Sequence, residues 1–262
     1  DEDPPERYRT PVNRARIAAE SRWVDVPLAP PDLGGEYPLH GGAETERRID
    51  PRVLTSAVDA MLPAERIVSI DSGNFMGYPS QYLSVPDEFG FCFTQAFQAV
   101  GLGLGTAIGA AFGRPDRLPV LGTGDGGFLM GIAELETAVR LGMPLVVIVY
   151  NDDAYGAEIH HFGARAGGTA DANGGGGSGT GEGSAAPDLT PGVFPRVDIA
   201  SIARGFGAEG VTVREPADLA PLREWLTALD GPTPGSARPI VLDARIASDG
   251  GSWWLAEAFR GH

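Results

Sequence analysis

Two short apolar runs separated by one amphipathic helix constrain the fold of this chain more than any other feature. The first run, 118–121, leads into a glycine-rich turn at 124–127, and the second, 145–150, is apolar throughout. The helix between them is predicted from apolar residues repeated every three or four positions: Phe128, Ile132, Leu135 and Val139. Continuously apolar strands are typical of parallel sheets covered by helices on both faces. The unit therefore predicts two strands of such a sheet, joined by a helix over 128–141.

The same alternation of strands and helices continues on either side of this unit. Further strands are predicted at 66–70, 210–213 and 239–244, and further helical segments at 51–61, 95–113 and 217–229, with ordered structure resuming at 199–206. Asp50 followed by Pro51 has the pattern of a helix N-cap and first helical position. We therefore predict an α/β fold: a doubly wound, mainly parallel sheet with helices on both faces.

Two segments depart from the alternating pattern. Residues 1–49 are rich in proline, arginine and acidic side chains, which predicts an extended arm or linker, with a disordered tail as the alternative. Residues 163–192 are about one third glycine, which predicts a flexible insertion because such a segment buries little apolar area. The expected organisation is thus an arm followed by one domain over 50–262 that contains this insertion.

Composition excludes several classes of function. The formal net charge of −15 at pH 7 argues against a nucleic-acid or anionic-membrane surface, and no apolar run has membrane-spanning length. All 20 basic residues are arginine, which excludes lysine Schiff-base chemistry in this chain. Cys92 is the only cysteine, so the chain has no internal disulfide. We expect a cytoplasmic protein.

Three small polar turns follow predicted strands, at 71–75, 122–127 and 151–156. Ligands of open parallel sheets bind beyond the carboxyl ends of the strands, so these turns are expected at one edge. Asp125 lies in a glycine-rich turn that lets an anion approach the backbone, and Asn151 follows the next strand, 26 residues later. Carboxylate, amide and carbonyl oxygens together with a diphosphate suit Mg²⁺. A purely structural turn is the alternative.

The segment GDGGFLMGIAELETAVRLGMPLVVIVYNDDAYGAE, at 124–158, resembles the thiamine-diphosphate-binding signature of the acetolactate synthase and 2-oxoacid decarboxylase superfamily. The resemblance covers about residues 50–250. It implies that thiamine diphosphate and Mg²⁺ are the cofactors. The implied metal ligands are the side chains of Asp125 and Asn151 and the backbone carbonyl of Asp153. Asp152 stands where the family often has a second asparagine, which is not usually a ligand.

The resemblance extends to two other segments. DSGNF, at 71–75, resembles the family's loop that touches the diphosphate, and FQAVGLGLGTAIGAA, at 97–111, resembles the loop and helix beneath the thiazolium. Val100 is thereby implied as the apolar support of the bent cofactor, with core packing as the alternative, and the Gln98 carbonyl as a pyrimidine contact. The implied cofactor-binding residues are Gly73, Asn74, Gln98, Val100, Gly124, Asp125, Gly126, Gly127, Asn151, Tyr155 and Gly156.

In the family, the glutamate that activates the cofactor belongs to a separate pyrimidine-binding domain. Such a domain is not found before residue 50, so the resemblance implies that a partner chain or another domain supplies it. The chain is then a subunit of a heterotetramer or larger assembly, or a fragment of a longer protein, and its own catalytic residues stay unassigned.

The activity implied is that of a lyase or transferase that decarboxylates or ligates a 2-oxoacid, as acetolactate synthase does. The alternatives are an enzyme of the 2-hydroxyacyl-CoA lyase or oxalyl-CoA decarboxylase type, and a non-catalytic cofactor-binding regulatory subunit. The intact pair of Asp125 and Asn151 argues against the regulatory subunit. Donor and acceptor substrates are left open.

Some further features have two interpretations each. Tyr155, Glu158, His160 and His161 either face the substrate or are ordinary helix residues. The glycine-rich insertion is either a closing lid or a passive loop, and Trp253 with Trp254 either caps the site or contacts a partner. The glycines at 101–105 do not follow a strand, so we predict no dinucleotide site. The resemblance implies no FAD either, because relatives that bind FAD normally use a middle domain that we do not expect in this chain.

Overall fold

Six strands form one sheet in which every neighbouring pair is parallel. The computed structural model describes residues 10–19, 47–94, 99–160, 188–229 and 237–247. The strands are β1 (Arg66–Ile70), β2 (Phe91–Phe93), β3 (Leu118–Gly124), β4 (Val146–Asn151), β5 (Glu209–Val213) and β6 (Ile240–Arg245). Their order across the sheet is β2-β1-β3-β4-β6-β5. The prediction of a parallel α/β sheet is confirmed.

Helices cover both faces of this sheet. One face carries α2 (Pro51–Asp59), α3 (Gly77–Tyr82) and α9 (Ala220–Leu229). The other face carries α4 (Gly103–Gly113), α5 (Asp125–Gly131), α6 (Ala133–Arg140) and α8 (Ile199–Phe206). Residues 156–160 form a further helical segment, α7. No helix in the described ranges has the length and apolar character needed to cross a membrane.

The central strand β4 shows why the sequence forms such a sheet. All six of its residues are buried. Ile148 and Tyr150 belong to the hydrophobic cluster on one face, whereas Val147 and Val149 belong to the cluster on the other. Burying one such side chain stabilises the fold by about 1.5–3 kcal/mol. An unbroken apolar strand therefore requires helices on both sides.

The aromatic side chain of Tyr150 links this core to the functional edge of the sheet. Its ring stacks on Phe75 with centroids 5.4 Å apart and on Tyr78 at 6.0 Å. Its hydroxyl shares a hydrogen bond of 2.8 Å with Thr55 of α2. The loop that follows β1 is therefore held against β4 by buried aromatic contacts.

Two helices differ from their predicted extents. The helix expected over 128–141 is two helices, α5 and α6, and Leu135 N–H donates to the Ile132 carbonyl only three residues back, at 3.0 Å. The helix expected over 95–113 begins at Gly103. Gly101 has a left-handed φ of 91°, which ends any helix that approaches from the preceding residues. The elements β2 and α3 were not predicted.

The predicted arm is not wholly extended. It contains α1 (Pro11–Ala19), which begins at a proline whose fixed φ suits the first helical turn. The domain also starts slightly earlier than predicted, because Ile49 pairs in parallel with Ile246 and its N–H donates to the Arg245 carbonyl at 2.8 Å. The segment that enters the domain therefore lies beside the end of β6.

Close packing between β5 and α8 generates a first prediction. A Cβ atom at Gly210 would lie 2.1 Å from the backbone carbonyl oxygen of Ala200. We predict that Gly210→Ala lowers the free energy of unfolding by about 1–3 kcal/mol, because backbone must move to admit it. Urea denaturation measures this change.

The matched control is Gly205→Ala on α8, the helix that carries Ala200, where nothing lies within 4 Å of the added methyl group. Alanine is the better helix former, so this variant is expected to be about 0.5–1 kcal/mol more stable. A Gly210→Ala protein as stable as the wild type would contradict the close approach.

Candidate functional site

The three polar turns predicted from the sequence meet at the carboxyl edge of the sheet. They follow β1, β3 and β4, which are adjacent strands, with Ile70 opposite Gly122 and Gly124 opposite Tyr150. A Cβ atom at Gly124 would lie 3.2 Å from the ring of Phe75. The loop after β1 therefore lies directly beside the end of β3.

The loops after β1 and β4 also approach one another. A Cβ atom at Gly156 would lie 3.5 Å from the amide nitrogen of Asn74 and 2.5 Å from a carboxylate oxygen of Asp152. Gly73, with φ 156° and ψ −179°, precedes the short 3₁₀ turn Asn74–Met76. The structure thus places Gly156 beside Asn74, the residue that follows Gly73.

Asp125 is the first residue of α5 and is only 3% exposed. One carboxylate oxygen accepts a hydrogen bond from the Gly126 N–H at 2.9 Å, and the other accepts one from the Ala154 N–H at 3.1 Å. Burial, followed by the negative charge of Asp152, raises the pKa of Asp125 well above its usual value. The carboxylate therefore ties the start of α5 to the loop after β4.

Asn151 is the last residue of β4, and its amide has a defined orientation. The Nδ2 group donates to Oδ1 of Asp243 on the adjacent strand β6 at 2.7 Å, while Oδ1 accepts from the Asp153 N–H at 3.1 Å. Burial raises the pKa of Asp243. The amide oxygen of Asn151 therefore points to the loop and its nitrogen to the sheet.

Asp153 has φ 58°, and it is the one residue other than glycine with positive φ in the described part of the chain. Its carboxylate accepts hydrogen bonds from Arg48 and, at 2.8 Å, from Arg245. Its carbonyl, the predicted metal ligand, accepts a hydrogen bond from the Phe194 N–H at 2.8 Å. A carbonyl oxygen has two lone pairs, so one of them is left for a cation.

The glycines at the start of α5 are in close contact with two neighbouring side chains. A Cβ atom at Gly126 would lie 2.4 Å from the ring of Tyr155, and one at Gly127 would lie 2.5 Å from a carboxylate oxygen of Asp71. Larger residues at these two positions would displace Tyr155 or Asp71. Glycine at both positions therefore lets the side chains of Tyr155 and Asp71 pack directly against the backbone at the start of α5.

Residues 188–194 cover the outer side of the β4 loop. Tyr155 N–H donates to the Gly192 carbonyl at 2.8 Å, and its ring meets Phe194 edge-on with centroids 4.6 Å apart. Residues 190–192, at the end of the insertion predicted over about 163–192, form a 3₁₀ turn that is hydrogen-bonded to the site loop.

The loop that carries Val100 is connected to the site through Asp71. This buried carboxylate accepts from the Gly101 N–H at 3.1 Å and from the Thr123 hydroxyl at 3.2 Å. Val100 is half-buried and belongs to neither hydrophobic cluster of the described chain. Gln98 lies outside the described residues.

Among the other residues singled out from the sequence, two on α7 are described by the structure. Glu158 is exposed and His160 is half-buried on α7. His161, residues 163–187, Trp253 and Trp254 lie outside the described residues.

Several site residues were missed by sequence reasoning, namely Arg48, Asp71, Thr123, Asp243 and Arg245. A signal existed for two of them, because Asp243 and Arg245 interrupt the otherwise apolar run 240–247. Their spacing of two places both on one face of a strand. Arg48 gave no such signal, since it lies about 100 residues from the loop it contacts.

The chemistry of these side chains fits a divalent cation. The described hydrogen bonds to Asp125 come from neutral N–H groups, and Asp152 and Asp153 add negative charge nearby. A buried carboxylate in such surroundings is stabilised by a bound cation. Among the described residues no three histidine, cysteine or acidic side chains cluster as a metal site. The available donors are instead carboxylate, amide and carbonyl oxygens, which suit Mg²⁺.

Comparison with known proteins agrees with this geometry. The family model for thiamine pyrophosphate enzyme, C-terminal TPP binding domain, matches residues 71–234, more than half of the chain. Acetolactate synthase of Bacillus subtilis (strain 168) is 32% identical over 180 residues, which cover 68% of this chain and 27% of that protein. Sulfoacetaldehyde acetyltransferase of Alcaligenes xylosoxydans xylosoxydans is 27% identical over 177 residues, which cover 66% and 26% respectively.

Solved structures share the fold. The thiamine diphosphate-dependent 4-hydroxybenzoylformate decarboxylase of Rhodococcus jostii RHA1 aligns with a TM-score of 0.59 and 21% identity, over 82% of this chain and 36% of that one. The chain thus spans about a quarter to a third of the length of these relatives.

The buried carboxylate of Asp125 generates a second prediction, which concerns the metal-free chain. Because its pKa is raised, the folded state binds a proton more tightly than the unfolded state does. Linkage then requires the unfolding free energy to fall as pH rises from the usual carboxyl pKa towards the raised value. We predict that Asp125→Asn lacks this contribution. In EDTA, the stability of the wild type relative to this variant should therefore decrease from acidic to neutral pH.

Urea unfolding of both proteins across that pH range tests the prediction. Only the pH dependence of the difference matters, because the substitution also changes the hydrogen bond to Ala154. Parallel stability curves for the two proteins would show that Asp125 titrates normally.

Proposed function

The chain belongs to the thiamine pyrophosphate enzymes, which it matches in their C-terminal TPP binding domain, and from this premise we propose that it binds the diphosphate of thiamine diphosphate together with Mg²⁺. The observation that carries the proposal is the buried Asp125 carboxylate, bonded to the loop of Asn151 at the carboxyl edge of the sheet. Ligands of parallel sheets bind at this edge.

Each group of residues has a proposed role. Asp125 and Asn151 contribute side-chain oxygens to the cation, and Asp153 contributes its carbonyl. The remaining residues offer backbone or small surfaces to the cofactor: Gly73, Asn74, Gly124, Gly126, Gly127, Tyr155 and Gly156. Val100 supports the cofactor from below, beside the Gly101 turn that Asp71 holds. When bound, thiamine diphosphate supplies carbanion stabilisation.

Two features of the chain prepare this site before any cofactor binds. Asp243 holds the Asn151 amide with its oxygen away from the sheet. Tyr155 lies over Gly126, the residue that follows Asp125, with Phe194 against its ring. Preorganised oxygen donors bind a cation more tightly because little ordering remains to be done.

For the complete protein we propose a decarboxylase or carboligase of a 2-oxoacid, similar to acetolactate synthase. The relatives that support this reaction are enzymes of which the chain spans about a quarter to a third. We further propose that a pyrimidine-binding domain on another chain or segment completes the site and carries the activating glutamate. Acetyl transfer is a second candidate, favoured by the similarity to sulfoacetaldehyde acetyltransferases.

The third prediction tests the cofactor site. We predict that Asp125→Ala weakens Mg²⁺-dependent binding of thiamine diphosphate by more than about 100-fold, since even partners of metal ligands typically contribute 10–100-fold. Isothermal titration calorimetry with and without Mg²⁺ measures the effect. Asp116→Ala is the matched control, because Asp116 is an exposed aspartate paired with Arg114. Binding that needs no Mg²⁺ and is equal in the wild type and Asp125→Ala would contradict the proposed function.

The fourth prediction concerns the pyrimidine-binding domain that we propose completes the site. We predict that the purified 262-residue chain alone turns over no 2-oxoacid. Activity is expected when it is isolated with the chain or segment that supplies the pyrimidine-binding domain. Carbon dioxide release and product analysis, with and without an acetyl acceptor, separate decarboxylation, carboligation and acetyl transfer. Turnover by the chain alone would refute the requirement for a second domain.

A further inference from the structure

Asp153 occupies an unusual position in the loop after β4. Its backbone is left-handed, a conformation that side chains other than those of asparagine and aspartate rarely adopt. Its carboxylate is 2% exposed and lies between two guanidinium groups, with Arg245 Nη1 2.8 Å from one oxygen and Arg48 bonded to the other. Both oxygens are therefore engaged by positive charge.

The two arginines come from opposite ends of the domain. Arg48 precedes α2, and Arg245 is the last residue of β6. Backbone hydrogen bonds hold these ends together, since Ile49 N–H donates to the Arg245 carbonyl at 2.8 Å and Ala247 N–H donates to the Ile49 carbonyl at 2.9 Å. The segment before α2 and the end of β6 therefore place Arg48 and Arg245 beside the same loop.

The same groups also reach Asn151. Arg48 donates to the Asn151 carbonyl at 3.4 Å. Arg245 donates to Oδ2 of Asp243 at 3.3 Å, and Oδ1 of Asp243 accepts from the Asn151 amide at 2.7 Å. One connected network therefore contacts two of the three residues proposed to hold the cation, Asn151 and Asp153.

The charges around Asp153 distinguish its side chain from its backbone carbonyl. Asp125 lies beside the same loop, because its carboxylate accepts a hydrogen bond from the Ala154 N–H at 3.1 Å. Both arginines bind the Asp153 carboxylate. The side chain of Asp153 is therefore engaged by the arginines, whereas its backbone carbonyl is the group proposed to hold the cation. Desolvation offsets much of the attraction within a buried ion pair, so this pair is weak evidence for added stability.

We propose that Arg48 and Arg245 are positioning residues that clamp the Asp153 carboxylate, and that this clamp sets the left-handed turn presenting the Asp153 carbonyl and the Asn151 amide to Mg²⁺. The inference rests on the proposed cofactor site and deepens it. Neither arginine touches the cation or the cofactor; both act through Asp153.

The test uses the natural full-length protein with any chain that co-purifies, and the readout is the Mg²⁺ concentration needed for thiamine diphosphate binding. Arg48→Met is expected to weaken apparent Mg²⁺ affinity about tenfold, as loss of a partner of a metal ligand does. Arg47→Met is the matched control, because the neighbouring Arg47 pairs with Glu215 at the surface. Its Mg²⁺ affinity should equal that of the wild type.

A double-mutant cycle separates positioning from general stability. Asp153→Asn keeps a residue that tolerates the left-handed backbone but removes the charge that the arginines hold. Arg48→Met added to Asp153→Asn is expected to cause no further loss of Mg²⁺ affinity. Unchanged affinity in Arg48→Met, or a full tenfold loss on the Asp153→Asn background, would overturn the clamp.

Two further measurements keep the outcome decisive. If Arg48→Met does not fold, Arg48→Lys is used, which keeps the charge but loses the planar fork of donors. It is expected to weaken Mg²⁺ affinity, and wild-type affinity would overturn the proposal. Failure of the wild type itself to bind thiamine diphosphate with Mg²⁺ would refute the proposed function. Normal binding by the wild type and all arginine variants would refute only the clamp.

Discussion

The burial of the Asp125 carboxylate governs how the loops at the carboxyl edge of the sheet are arranged. An ionised carboxylate removed from water is unfavourable unless hydrogen bonds or a cation compensate it. The N–H groups of Gly126 and Ala154 provide part of this compensation, so the loop after β4 must lie against the start of α5. That close approach requires glycine at position 126, because a Cβ atom there would lie 2.4 Å from the ring of Tyr155. A site built in this way is suited to a cation.

The parallel register of the sheet supplies the second half of the site. Asn151 lies opposite Arg245 at the ends of β4 and β6, and Asp243 orients the Asn151 amide through a hydrogen bond of 2.7 Å. Buried polar residues at one edge of an apolar sheet are favourable only when their polar groups form hydrogen bonds. Support for the loop therefore comes from strand ends, which are rigid, rather than from the loop itself.

The proposed function of the domain also depends on this edge of the sheet. The groups that we propose to bind the diphosphate and the cation lie at the sheet edge, where backbone and short side chains meet. The family relation explains why these groups occur together, and the chain spans about a quarter to a third of its relatives. Substrate choice and cofactor activation are therefore properties we assign to the complete protein.

Sequence periodicity and the polar turns after apolar strands were sufficient to predict the parallel α/β sheet, β1 at its observed bounds, and the meeting of the Asp125 and Asn151 loops. These features depend on local patterns and on the general geometry of parallel sheets. Only the tertiary structure revealed the division between α5 and α6, the late start of α4, and the contacts of Arg48 and Asp243. The Arg48 contact with Asp153 joins residues 105 apart, and the Asn151 contact with Asp243 joins residues 92 apart. Such pairings depend on strand order and on where the chain enters the domain, and local periodicity contains neither.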